Sequence, residues 1–199
     1  MKYDTFLTYI HIHSILFLLI VTGAPFDCER NIKCVDAPGF NRIVYGGSFL
    51  KSLKARARDQ LDQFCDGDPT TDKFDFPGTQ SATTIAEFEN AFLAPVYGFE
   101  DNIDYYRQCS CYYFLPGVAV PLYIVNAGDD PFFDENFFPI EESVDGGSSA
   151  PIKMQRTEHG GHLGYMFHQP SESEERKSAS WMPTELSRFI SHVHNYDKE

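Results

Sequence analysis

Basic residues are scarce in this 199-residue chain: 16 Lys and Arg stand against 29 Asp and Glu, a formal net charge of −13. That deficit argues against nucleic acid as a partner, because a chain repelled by phosphate gains nothing from counterion release. It gives no support to electrostatic attraction to anionic lipid either, and a soluble acidic surface accounts for it. Cysteines are few. Cys28, Cys34, Cys65, Cys109 and Cys111 are odd in number and form no Cys-x-x-Cys, so neither a zinc site nor a disulfide framework is indicated. Free thiols in a reducing compartment are expected, in a cytoplasmic or membrane-associated rather than a secreted protein.

Long apolar runs are also lacking. Residues 15–21, Ile-Leu-Phe-Leu-Leu-Ile-Val, form the one unbroken aliphatic stretch, short of the roughly 20 residues that a membrane span needs. His11, His13 and Ser14 interrupt any extension toward the N-terminus. A buried parallel strand over 15–22, ended by Thr22-Gly23-Ala24-Pro25, suits the run. A signal or anchor segment stays open as the alternative, with small residues around Val21-Thr22-Gly23 but a poor positive leader, since Asp4 offsets Lys2.

What is present reads as one α/β domain with a core of useful size. Residues 1–14 show no period and stay unassigned, and the stretch from the first strand to about residue 45 reads as irregular. A helix is expected from Ser48 to Cys65, where Leu50, Leu53, Ala57, Leu61 and Phe64 recur at three- and four-residue steps. Lys51, Lys54, Arg56 and Arg58 make its solvated face. Residues 66–82 read as a loop. Thr84-x-x-Glu87 is a capping box opening a helix that buries Ile85, Phe88 and Phe92. A short helix follows over Asn102 to Cys109. Strands are expected at 120–127 and 152–157, with a short helix at 135–142 between them. Residues 170–180 read as exposed linker, and a last helix over 182–195 starts near Pro183 and packs Leu186, Phe189, Ile190 and Val193 on the core.

Two loops carry the chemistry. Val120 through Val125 leads into Asn126-Ala127-Gly128-Asp129-Asp130-Pro131, and Ile152 through Thr157 leads into Gly160-Gly161-His162-Leu163-Gly164. Either alone is an ordinary turn. Together they place an acid after one buried strand and a histidine after the next, with room for the crossover that parallel neighbours require. An Asp–His pair of this order serves a serine nucleophile in hydrolases of the Ser–Asp/Glu–His type. Asp130 is the preferred acid and Asp129 its close competitor; His159 matches no catalytic position. His11-x-His13 and His192-x-His194 have no carboxylate at ligand spacing, so no metal site and no cofactor are expected. Phe132-Phe133 and Phe137-Phe138 are expected to pack the acid turn, or to line an acyl pocket.

With Ala24-Pro25-Phe26-Asp27 after a strand, Gly98-Phe99 followed by Asp104-Tyr105-Tyr106 and Ser110, and then the acid and histidine motifs, the chain resembles the α/β-hydrolase superfamily in its ABHD-type, YheT-like esterase and lipase branch. The resemblance covers about residues 15–195. It implies a mostly parallel, few-stranded sheet wrapped by helices, a helical lid over about 40–110, and acid and histidine loops within 120–168. It also implies hydrolysis of carboxylic esters, acylglycerols included, with Asp130 orienting the imidazole and His162 as general base. One motif of that family is missing: no Gly-x-Ser-x-Gly occurs anywhere in these residues. Gly46-Gly47-Ser48 precedes a helix of the lid type, and Gly146-Gly147-Ser148-Ser149 falls between acid and histidine; neither fits the nucleophile elbow. The oxyanion hole goes missing with the elbow. The expectation is therefore a partial hydrolase fold without the N-terminal half of its sheet: a truncated gene model, splice product or decaying copy, inactive alone. The alternative is a non-catalytic module that binds apolar ligands, or self-associates through the sheet edge that residues 15–22 would leave open.

Overall fold

The computed structural model describes residues 18–138, 152–168 and 178–196. Three parallel strands lie at its centre in the order β1 (Leu19–Thr22), β2 (Leu122–Ala127), β3 (Ile152–Thr157). All six residues of β2 are buried, as expected of a strand hydrogen-bonded on both sides and covered on both faces. Its side chains alternate between two apolar layers. Leu122 and Ile124 join Ala24, Phe26 and Leu115 on one face, against Val21, Val118 and Met154. Tyr123, Val125 and Ala127 face the other way, onto Tyr165, Trp181, Leu186 and Phe189. Leu186 and Phe189 belong to the C-terminal helix Met182–Tyr196. The buried Tyr123 hydroxyl lies between the Gln155 side chain and the Glu185 carboxylate (3.0 Å), tying that helix to the sheet.

The register aligns the strand ends. Thr22 pairs with Val125, and Ala127 with Thr157, so the segments after all three strands emerge together. This carboxyl edge is where open parallel sheets gather functional loops.

The connection from β1 to β2 is almost wholly helical: α1 (Cys28–Asp36), a π-helical turn (Arg42–Gly46), α2 (Gly47–Phe64), α3 (Phe76–Ser81), α4 (Ile85–Phe88), a second π-helical turn (Glu89–Leu93), α5 (Ala94–Tyr97), α6 (Asn102–Cys109) and a 3₁₀ stretch (Cys111–Gly117). Two of these helices depart from expectation. Residues 28–36 are helical where an irregular stretch is expected, because the Asp27 carboxylate accepts from the Arg30 amide at the N-cap and the Lys33–Glu29 pair (2.6 Å) spans a turn. Residues 76–81 are helical within the expected loop: Asp75 caps Gly78 N–H (2.8 Å) and Pro77 sits in the first turn, where no amide donor is needed. The capping box at Thr84 and Glu87 is present. Asp36, at the end of α1, reinforces it by accepting from the Ile85 and Ala86 amides, both at 2.9 Å. Leu50, Ala57, Ala82 and Phe88 form one small core of this layer, and Leu61, Phe74 and Phe76 another.

Further corrections concern single elements. Phe64 ends α2 largely exposed, and Ile190 faces away from the core. Ser178–Ser180 is a strand antiparallel to Met166–His168 rather than linker. Residues 135–138 are turn and coil, and the rest of the expected helix at 135–142 lies outside the described residues, as do residues 1–17, Gly146–Ser149 and residues 169–177. All five cysteines are free thiols. No described helix is long and apolar enough to cross a membrane.

The second π-helical turn carries a half-buried carboxyl group. Glu89 accepts from the Tyr106 hydroxyl, which also receives the Asn102 amide (3.4 Å). Burial, aided by the nearby Asp36 charge, lifts its pKa from 4.5 to about 7 despite that hydrogen bond. A carboxyl whose pKa is raised on folding stabilises the fold below its unfolded pKa and loses that contribution as pH rises through the folded value. Stability should therefore fall by roughly 2–3 kcal/mol between about pH 4.5 and pH 7 from this group. Urea unfolding at closely spaced pH values should show that slope in the natural chain and a clearly reduced one in Glu89→Gln.

Candidate functional site

The site is built where β2 and β3 end. After Ala127 the chain turns at once, with Gly128 N–H donating to Thr157 O (2.7 Å). Gly128 has no room for a side chain, since a Cβ there would lie 3.0 Å from Arg156 Nε. Asp130 follows with its side chain fully enclosed. One of its oxygens accepts from the Phe132 amide (3.0 Å), an Asx turn that holds the carboxylate still. The other lies 2.9 Å from His162 Nδ1. An ionised carboxylate can only accept, so the tautomer that fits this contact has its proton on Nδ1 and leaves Nε2 as an acceptor.

The histidine loop is fixed from three directions. Gly160 O accepts from the amides of Gly164 and Tyr165, each at 3.0 Å, closing a tight loop around His162. The Tyr165 ring fills the space over Gly160, where a Cβ would come within 2.6 Å of it. Tyr165 itself is buried, with φ +44, and burial pushes its phenol up to about 12. The Asp129 carboxylate accepts from Gly161 N–H (2.7 Å) and stands 3.5 Å from His159 Nδ1. The Gly161 amide, helped by the Gly160 amide and the His159 ring, holds that carboxyl below its ordinary range. The two neighbouring aspartates thus have different contacts: Asp130 meets the imidazole, and Asp129 meets the backbone of the loop that carries it.

Two aromatic rings flank the imidazole edge-on, Phe132 at 4.8 Å and Phe133 at 5.7 Å between centroids. Phe132 continues to Tyr45 (4.9 Å, edge-on) and Phe49 (5.6 Å, tilted), so the helical layer reaches the site through ring contacts. Phe137 and Phe138 instead pack against the sheet, beside Tyr112 and Phe26. Asn41 anchors the acid turn by donating to Pro131 O (2.8 Å). Asn126 exchanges two hydrogen bonds with the backbone of Ala24, at 3.1 and 2.9 Å, and so links the ends of β1 and β2.

Asp130 and His162 are therefore together, whereas Ser48 lies exposed in the first turn of α2. Sequence reasoning passed over Asn41, Asn126 and Tyr165 as members of the site. Asn126 stood inside the acid motif, but only the fold shows that its amide reaches β1. Among the described residues no group of three or more His, Cys, Asp or Glu side chains could hold a metal ion.

No family model matches the chain, and no solved structure matches it. Among curated proteins it is similar to YheT of Escherichia coli, which carries an esterase name: 34% identity over 171 residues, 84% of this chain and 47% of that one. It is 22% identical over 176 residues to the monoacylglycerol lipase of Saccharomyces cerevisiae, covering 88% of this chain and 36% of that protein. With the monoacylglycerol lipase ABHD2 of Danio rerio it shares 25% identity over 123 residues, 59% of this chain and 27% of the relative. The chain thus spans less than half the length of these relatives. Over the matched region, this chain is related to the YheT-like, ABHD-type α/β-hydrolases.

Proposed function

We propose that residues 15–195 are the acid-and-histidine part of a carboxylic ester hydrolase of the Ser–Asp–His type, acting on ester or acylglycerol substrates. The observation that carries this reading is the 2.9 Å contact between the enclosed Asp130 carboxylate and His162 Nδ1 at the carboxyl edge of a parallel sheet. The esterase and lipase names of the relatives support it. In this mechanism Asp130 holds the ring in one tautomer and stabilises the imidazolium. His162 Nε2 takes the proton of an attacking hydroxyl and returns it to the leaving alcohol. The hydroxyl and the oxyanion donors come from sequence outside these 199 residues, because no Gly-x-Ser-x-Gly lies within them. Residues 40–110 serve as a helical lid; the contacts of Tyr45 and Phe49 with Phe132, itself against His162, support that assignment.

A second reading has its own observation. Phe40, Ile43 and Val44 are exposed around the first π-helical turn, on the same layer, so the chain alone acts as a non-catalytic module that takes up apolar ligands. Self-association is also proposed: among the described residues β1 has a ladder partner on one side only, and an open apolar edge invites pairing.

The purified 199-residue chain should not react with a fluorophosphonate probe; stoichiometric labelling would mean that it contains a nucleophile. Joined to the part of the Escherichia coli relative that it does not match, it should gain probe labelling and hydrolysis of a short-chain p-nitrophenyl ester. His162→Ala or Asp130→Asn should then lower kcat by about ten-thousand-fold. Full activity in either variant would defeat the assignment. Analytical ultracentrifugation of the chain alone should show concentration-dependent association, and a monomer at all concentrations would count against edge pairing.

A further inference from the structure

The sheet touches the imidazole at a second place, on the strand farthest from it in sequence. Gly23 follows β1 directly and continues its ladder, its N–H donating to Val125 O (3.1 Å). Its φ is +62, the left-handed region that residues with a Cβ rarely enter. A Cβ at this position would lie 3.1 Å from His162 Cε1, 3.3 Å from Nδ1 and 3.2 Å from the His162 carbonyl oxygen. Those separations are inside comfortable carbon contact, so one side must yield. Gly23 cannot retreat, because its own ladder bond and the Asn126–Ala24 pair of hydrogen bonds fix the backbone on either side. Of the atoms met, those of the ring can swing aside, whereas the His162 carbonyl moves only with its loop. The ring edge nearest Gly23, Cε1 and Nδ1, is the one that carries the bond to Asp130.

We infer that Gly23 is a positioning residue for His162: the bare backbone at the end of β1 is the surface against which the imidazole rests while Nδ1 meets Asp130. This rests on the dyad reading above and adds a third strand to it. Asp130 sets the direction of the Nδ1–H bond, Asp129 sets the loop, and Gly23 sets how deep the ring sits. An L side chain at 23 displaces the ring and lengthens the 2.9 Å contact.

The test uses the 199-residue chain with ¹⁵N-labelled histidine. The hydrogen-bonded Nδ1–H of His162 is expected as a far-downfield proton signal that Asp130→Asn removes. Retention of the signal in Asp130→Asn would defeat the dyad reading itself, independently of any role for Gly23. Gly23→Ala should lose or markedly shift this signal while far-UV circular dichroism stays native. Gly98→Ala is the control: Gly98 has φ +80 but nothing within 4 Å of a Cβ, so it carries similar backbone strain and should leave the signal in place. A folded Gly23→Ala chain with an unchanged signal would overturn the proposal. If Gly23→Ala does not fold, Gly23→Asn tolerates the left-handed backbone better and still carries the Cβ. If that fails too, ligation at Cys28 can place D-alanine at 23, which suits a positive φ and directs its methyl away from the L-side-chain direction. That chain must fold and keep the signal; failure of either would sink the steric account.

Discussion

A carboxylate with no exposed surface is the constraint around which this end of the molecule is organised. Removing an ionised group from water is costly unless charge-assisted hydrogen bonds replace its hydration. Asp130 has two such bonds, one from its own turn and one from His162. The first is local and follows from the Asx turn at Asp130-Pro131-Phe132. The second has to be brought in from 32 residues away, and nearly every unusual feature of the loops serves it. Gly128 has no side chain because Arg156 occupies the space; Gly160 has none because Tyr165 does. Tyr165 accepts a positive φ, and Asp129 commits its carboxylate to a backbone amide. Removing one partner of a buried pair leaves the other uncompensated, so these residues are coupled and their effects will not add.

The parallel sheet makes that convergence reproducible. Because β2 is hydrogen-bonded on both sides, a slip in either neighbour would shift a whole loop by a residue and turn its side chains to the opposite face. Alternation along β2 opposes such slips: Leu122 and Ile124 need one layer, Tyr123 and Val125 the other. Thus the Asp130–His162 contact at the carboxyl edge inherits its precision from apolar packing several residues upstream. Tyr123 adds a polar lock on the C-terminal helix, and burial together with the Glu185 contact pushes its phenol well above the usual range.

How far this could be read from residues alone depended on how local the cause was. The helix at Gly47–Phe64 was legible because Leu50, Ala57 and Leu61 repeat at helical spacing and are in fact buried. β2 was legible from its apolar run Leu122–Val125, and β3 mainly from the glycine-rich turn after it, since Ile152–Thr157 holds only two apolar residues. The meeting of Asp130 with His162 was legible from order, since each follows one of two neighbouring parallel strands. The helix at Cys28–Asp36 was not: Cys28, Ile32 and Val35 do stand at helical spacing, but over nine residues, with Val35 the one buried apolar side chain, the pattern is too short to stand out. It is held by its N-cap and by Asp36 reaching another helix. Residues 76–81 hid for a related reason: Pro77 and Gly78 look like a loop, and only the burial of Phe76 and Thr79 makes them a helix. Gly23 was invisible as a site residue. Its role depends on a contact 139 positions along the chain (162 − 23 = 139), and a glycine after a strand has many commoner explanations.

The helical layer and the dyad are joined through Phe132. That ring touches His162 on one side and Tyr45 and Phe49 on the other, while Asn41 holds the neighbouring Pro131 carbonyl. The acid turn is therefore pinned by the same segment that leads into α2. A displacement of that segment would be felt at the imidazole within two ring contacts, whereas the sheet beneath is held by β2 on both sides and has little freedom to follow. Aromatic edge contacts of this kind contribute about 0.5–1.5 kcal/mol each beyond area burial. That is enough to bias the ring's position and too little to fix it against a backbone clash. The division of labour follows from those magnitudes: hydrogen bonds and the bare backbone of Gly23 define where the imidazole can sit, and the aromatic chain from the helices adjusts how firmly it stays there.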